Sequence, residues 1–128
     1  MLYIKPPHPN FATSGFDSLD HTVVELDTEE IDRHLESLVH RYVQHEIFDK
    51  VERFQRALDQ ISRGDPIEMP LMLAMQSDSA EDFLRSVQVC DGRHHLYQLA
   101  RCKIRRVEVI VPRKRAEHFV REFGYESE

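Results

Sequence analysis

The sequence predicts an α+β fold, a compact single domain in which a small mixed sheet is flanked by helices. Three observations predict it. Segments with apolar residues at every second position interleave irregularly with segments in which they repeat every three to four. Glycine and proline punctuate the joins, at Gly64-Asp65-Pro66, at Asp91-Gly92 and at Gly124. A length of 128 residues with 41% hydrophobic content is the size of one ordinary domain.

Residues 1–20 are rich in Pro, Ser, Asp and aromatic side chains without a period, so they read as an irregular arm with a short strand at 2–4, and the domain proper occupies 21–128. The stretch "HTVVEL" at 21–26 is short and β-branched, which suits a strand. "DTEEI" then offers a helix start: Asp27 or Thr28 can cap it, and Glu29 and Glu30 complement the helix dipole. Ile31, Leu35, Leu38, Val39 and Tyr42 share one helical face, which places the first helix at 29–43. Phe48, Val51, Phe54, Leu58 and Ile61 define a second helix that stops at "RGDP", where Gly64 takes the left-handed cap and Pro66 forbids continuation.

The apolar run at 71–75 has strand length, "SDSAED" makes a turn or a single helical turn, and 86–90 alternates as the next strand. The two strands are close enough to pair as a hairpin around the 77–84 connection. Beyond Gly92, Leu96, Leu99 and Ala100 give a helical face ending near Cys102. "IRRVEVIVP" alternates as a strong strand, and Ala116, Phe119, Val120 and Phe123 form a last helix closed by Gly124. No internal repeat or low-complexity segment interrupts this order.

No apolar run approaches the roughly 18 residues that span a bilayer, and the N-terminus lacks the apolar core of a signal peptide. A soluble, cytoplasmic protein is expected, and Cys90 and Cys102 fit neither a zinc spacing nor a disulfide framework. The net charge of −6 argues against non-specific binding to duplex DNA. The charge is uneven, however: Arg101, Lys103, Arg105, Arg106, Arg113, Lys114, Arg115 and Arg121 face only Glu108 and Glu117 in that span. The run is either a solvated surface or a local basic face.

The stretch "VQVCDGRHHLYQLA" carries the chemistry. A strand-to-helix turn built on Asp91-Gly92 leaves the first N–H groups of a helix open to an anion. Arg93 adds a fork of donors matched to phosphate oxygens, and His94 can donate a hydrogen bond or accept a proton near neutrality. Gly92 lets a ligand approach the backbone, while Asp91 can hold Arg93, bind a metal-bridged phosphate or simply make the turn. The same residues also read as an ordinary Asp-Gly turn with Arg93 in solvent and one histidine hydrogen-bonded in the core.

The segment "DGRHHLYQLARCKIRRVEVIVP" resembles the part of the ParB/sulfiredoxin-like superfamily in which a strand runs into a G-x-H-R type turn, a helix and a "V-x-V-x-V" strand. "ISRGDPIEMPLMLAM" is similar to the superfamily's helix, link and strand, and "RAEHFVREFG" is similar to plasmid fertility-inhibition factors, a branch encoded on mobile elements. The resemblance spans 23–124. It implies an α+β fold whose helix N-terminus binds nucleotide or nucleic-acid phosphates, with ATP or CTP and Mg2+ as cofactors and an NTP hydrolase or DNA nuclease as the activity. By position, Gly92, Arg93, His94 and His95 would form the phosphate-contacting turn, His94 would be the acid or base, and Asp91 would organise the divalent ion. His95 stands where many members carry arginine, a weaker and pH-dependent charge.

Two departures narrow the resemblance. Sulfiredoxin activity needs a reactive cysteine inside the turn, where this chain has Arg93. Centromere binding needs further regions after this domain, so it is not expected of this chain alone.

Elsewhere, His45 and Asp49 are four apart near His40, which is metal-ligand spacing, but two ligands do not make a site and no metal centre is expected. His95 and Cys102 are two turns apart, so core packing is the expectation for Cys102. Tyr97 is expected to pack beneath the sheet rather than stack on a base. "PRKR" at 112–115 reads as a solvated helix start, yet its three cations oppose the dipole, a mild functional hint. Two classes of function follow: a phosphate-binding domain or enzyme, or a non-enzymatic inhibitor whose acidic surface binds a basic nucleic-acid-handling protein.

Overall fold

The computed structural model describes residues 21–37, 52–67, 69–75 and 78–126. The arm at 1–20, the expected helical residues 38–51 with His40, His45 and Asp49, and the side chain of Asp91 lie outside the described residues.

The chain opens with β1 (His21–Asp27), whose inward Val24 and Leu26 alternate with outward Val23 and Glu25. Helix α1 (Thr28–Ser37) starts where Asp27 Oδ1 accepts from the Glu29 N–H at 2.9 Å, the cap that the sequence offers there. Thr28 serves a different purpose: its hydroxyl donates to Ile104 O at 2.7 Å and its N–H to Arg105 O at 2.7 Å, pinning this corner to the far end of the chain. Helix α2 (Glu52–Ser62) buries Phe54 and Ala57 and stops at Gly64, whose φ of +75° is the expected left-handed cap.

Strand β2 (Leu71–Ala74) is followed by α3 (Ala80–Ser86), capped by the Ser79 side chain accepting from Asp82 N–H at 3.1 Å. Then come β3 (Val87–Asp91), α4 (Arg93–Arg101), β4 (Arg106–Pro112), a 3-10 turn (Arg113–Arg115) and α5 (Ala116–Phe123). The expected order of elements is therefore present, with α3 inserted into the hairpin connection.

The sheet order is β1-β4-β2-β3. Both outer pairs are antiparallel, with Val24 opposite Val109 in one and Met72 opposite Val89 in the other. The central pair is parallel, joined at Leu71 and Ile110, with Ile110 N–H donating to Pro70 O at 2.8 Å. This mixed sheet is an α+β architecture with one main core. Leu26, Ile31, Leu35, Met72, Leu99, Val107 and Phe119 are buried in it, and Phe83 meets Phe119 edge-on at 5.0 Å between ring centres. No described helix is long and apolar enough to cross a membrane.

Two local expectations need correction. Cys102 is exposed at the end of α4 rather than packed in the core, because the helix stops there and Lys103, at φ +63°, turns the chain back towards β4. Gly124 closes α5 as expected, its N–H donating to Val120 O at 2.9 Å; its backbone is extended, with φ −60°, it forms a bridge with Leu26, and a Cβ there would collide with Val120 O. Two of the three cations of 113–115 have structural partners: Arg113 donates to His21 O at 3.1 Å and Arg115 to Ala74 O at 3.2 Å. Those carbonyls at strand ends supply the stabilisation that the helix dipole does not.

Candidate functional site

Gly92 precedes α4 with φ +87°, a conformation that L side chains rarely adopt. A Cβ at this position would lie 2.8 Å from Pro70 Cβ. The close approach that Gly92 permits is thus taken by the chain's own link into β2, and the glycine is buried beneath it. Arg93, half-buried, is the first residue of α4.

From here α4 packs against α2. Phe54 and Tyr97 meet edge-on at 5.5 Å, Gln98 Nε2 donates to Phe54 O at 2.9 Å, and Phe54 also meets His94 edge-on at 6.1 Å. Tyr97 is 2% exposed, so it packs as expected, although against α2. Its hydroxyl accepts from Arg101 Nη1 at 3.1 Å.

This packing opens a cleft of about 520 Å³ between the two helices. One wall comes from Arg53, Arg56 and Gln60 of α2, the other from His94 and His95 of α4, and Pro66 and Ile67 close one end. The imidazole centres of His94 and His95 are 4.3 Å apart. His95 is 8% exposed, and its Nε2–H donates to Gln60 Oε1 at 2.9 Å. No acidic residue is among the described residues of the lining. Arg56 pairs with Glu52 at 3.1 Å, an exposed helix-surface pair that leaves the guanidinium exchanging with water. Two other surface hollows are lined by both signs of charge, one by Glu29, Glu36, Arg101 and Lys103, the other by Glu30, Arg105, Arg121 and Glu122.

Of the residues that the sequence singles out, His94 and His95 enter the cleft, whereas Arg93 lies outside its lining and Gly92 lies under Pro70. Asp91 ends β3 immediately before Gly92. Sequence reasoning missed Arg53, Arg56 and Gln60. Their spacing of three and four along α2 was a usable signal for one polar face, but α2 carries its more conspicuous pattern on the apolar face.

The basic run of the C-terminal half is largely committed to structure. Arg105 Nε donates to Asp27 Oδ2 at 3.1 Å, with the Asp27 carboxylate 3% exposed. Hydrogen bonding to Asp27, and then its charge, hold the Arg105 pKa above the ordinary arginine value. Arg106 pairs with Glu25 at 2.6 Å and Lys103 with Glu29 at 3.7 Å. A continuous basic face is therefore not what this run builds. Among the described residues, no group of three or more His, Cys, Asp or Glu side chains is placed to hold a metal ion.

Comparison with known proteins finds no matching family model, no matching curated protein and no matching solved structure.

Proposed function

We propose that the protein binds the phosphate of a nucleotide or nucleic acid in the cleft between α2 and α4. What carries this conclusion is the lining: Arg53, Arg56, His94 and His95 converge, without a described acidic neighbour in the lining, in a chain of net charge −6. Concentrating donors of one sign in a protein of the other sign focuses an anion there. The resemblance to the ParB/sulfiredoxin-like superfamily supports the same ligand class, with ATP and CTP as the first nucleotides to try and a cytoplasmic, mobile-element setting. For turnover, His94 serves as the acid or base, and the arginines offset charge developing on the leaving group.

The test is thermal stability and turnover with ATP, CTP and single-stranded DNA for the parent and for a double Arg53→Ala, Arg56→Ala variant. A ligand-dependent rise in melting temperature that the double variant loses is the expected result. No rise with any of them would refute the proposal.

A second reading, a non-enzymatic inhibitor of a basic nucleic-acid-handling protein, is favoured by one observation. Pairing of Lys103, Arg105 and Arg106 with Glu29, Asp27 and Glu25 neutralises the basic run of an acidic chain. Capture of a basic partner that is indifferent to the Arg53 and Arg56 substitutions would support it.

A further inference from the structure

Strand β1 stands at one end of the sheet order, with β4 on one side of it. Backbone groups alternate in direction along a strand, and the Thr28 N–H, which donates to Arg105 O at 2.7 Å, marks the even positions of β1 as those that face β4. The carbonyls of His21, Val23 and Glu25 therefore point to the outer edge, a row of groups that can template another strand. The chain's own backbone is seated on that edge. Gly124 bridges Leu26 in the antiparallel sense, and the Tyr125 N–H donates to Glu25 O at 3.3 Å. At the opposite end of β1, Arg113 Nη2 donates to His21 O at 3.1 Å. Between these two contacts lies Val23, with its side chain 41% exposed.

We propose that Gly124 and Tyr125 form a strap which, together with Arg113, closes the β1 edge against strand addition by a second copy of this chain. Two copies of β1 laid antiparallel about Val23 set Val23 opposite Val23 and His21 opposite Glu25. The hydrogen bonds of such a pairing fall on the carbonyls of His21 and Glu25, the two that Arg113 and Tyr125 hold. A second copy is the occupant that the strand itself specifies. Its sequence "HTVVELD" is β-branched at the centre, and in this register valine meets valine while an imidazole meets a carboxylate. The strap is placed by backbone rather than by its side chains. The Gly124 N–H donates to Val120 O at 2.9 Å where α5 ends, and a Cβ at this position would collide with that oxygen, so the turn onto β1 is made where glycine fits.

The experiment is sedimentation equilibrium of the full chain over a concentration series, for the parent, for Tyr125→Ala and for a double Arg113→Ala, Tyr125→Pro variant. Proline removes the N–H that reaches Glu25 O, and the Gly124 backbone, at φ −60° and ψ 139°, is one that a following proline accepts. Circular dichroism and urea unfolding check that each variant is folded. The double variant is expected to self-associate about tenfold or more tightly than the parent, a gain in keeping with intramolecular hydrogen bonds that no longer compete. Tyr125→Ala keeps the N–H and should match the parent. Adding Val23→Lys to the double variant sets like charges opposite one another at the centre of the pairing and should abolish the gain. Should the double variant fail to fold, Tyr125→Pro alone carries the same comparison with a smaller gain. Equal self-association of parent and strap variant, or a gain that survives Val23→Lys, overturns the inference.

Discussion

His95 Nε2–H donates to Gln60 Oε1 at 2.9 Å, joining the first turn of α4 to the last turn of α2 across 35 positions of sequence. The bond fixes one imidazole edge against α2. Gln60→Leu strands a nearly buried N–H and is expected to destabilise the fold by about 1–3 kcal/mol in urea unfolding. Gln60→Glu keeps an acceptor for His95 but adds a negative charge to the lining. It should preserve stability and weaken phosphate binding, two effects that unfolding and titration read separately.

Gly92 and Gly64 both have positive φ, but only Gly92 is crowded: a methyl group there would sit 2.8 Å from Pro70, whereas one at Gly64 would meet nothing within 4 Å. Gly64→Ala is expected to cost about 1 kcal/mol, the backbone penalty alone. Gly92→Ala adds overpacking and should cost at least about 2 kcal/mol more. Denaturant midpoints of the two variants check the difference.

Lys103 adopts φ +63°, the left-handed region, where the chain leaves α4. Its ammonium pairs with Glu29 at 3.7 Å, but the lysine side chain is largely in solvent, so the pair contributes little. Lys103→Gly is therefore expected to raise stability by about 1 kcal/mol, seen as a higher melting temperature.

Arg105 has its pKa raised in the folded chain by Asp27. A raised folded value means that its contribution to stability is fully present below the unfolded arginine value and is lost only as pH rises through the folded one. The Asp27–Arg105 pair should therefore hold without loss between about pH 7 and about pH 10. A parent that loses stability in this window more steeply than an Arg105→Met variant would contradict this.

The elements were legible because each is coded locally. Asp27 caps α1 two residues on, Gly64 ends α2, and the alternation of 106–112 makes β4 whatever lies beside it. The site was half legible. His94 and His95 stand at the start of α4 in plain view, but Arg53 and Arg56 become their neighbours only through the packing of Phe54 on Tyr97, which no local pattern encodes. The same reason hid the partners of Gly92, Arg113 and Arg115, all of which are made by chain distant in sequence.

Among the described residues, the ladder partner of β1 is β4, reinforced by the Leu26–Gly124 bridge and by Thr28 reaching Ile104, 76 positions away. During synthesis, then, the first strand of the sheet waits for the last before it can pair. Closure of so long a loop comes late, so the hairpin of β2 and β3 and the helices around it can assemble first, with β1 joining as the final edge. A nick or truncation near β4 would release β1 as an unpaired strand, exposing Val24 and Leu26 to association with other chains.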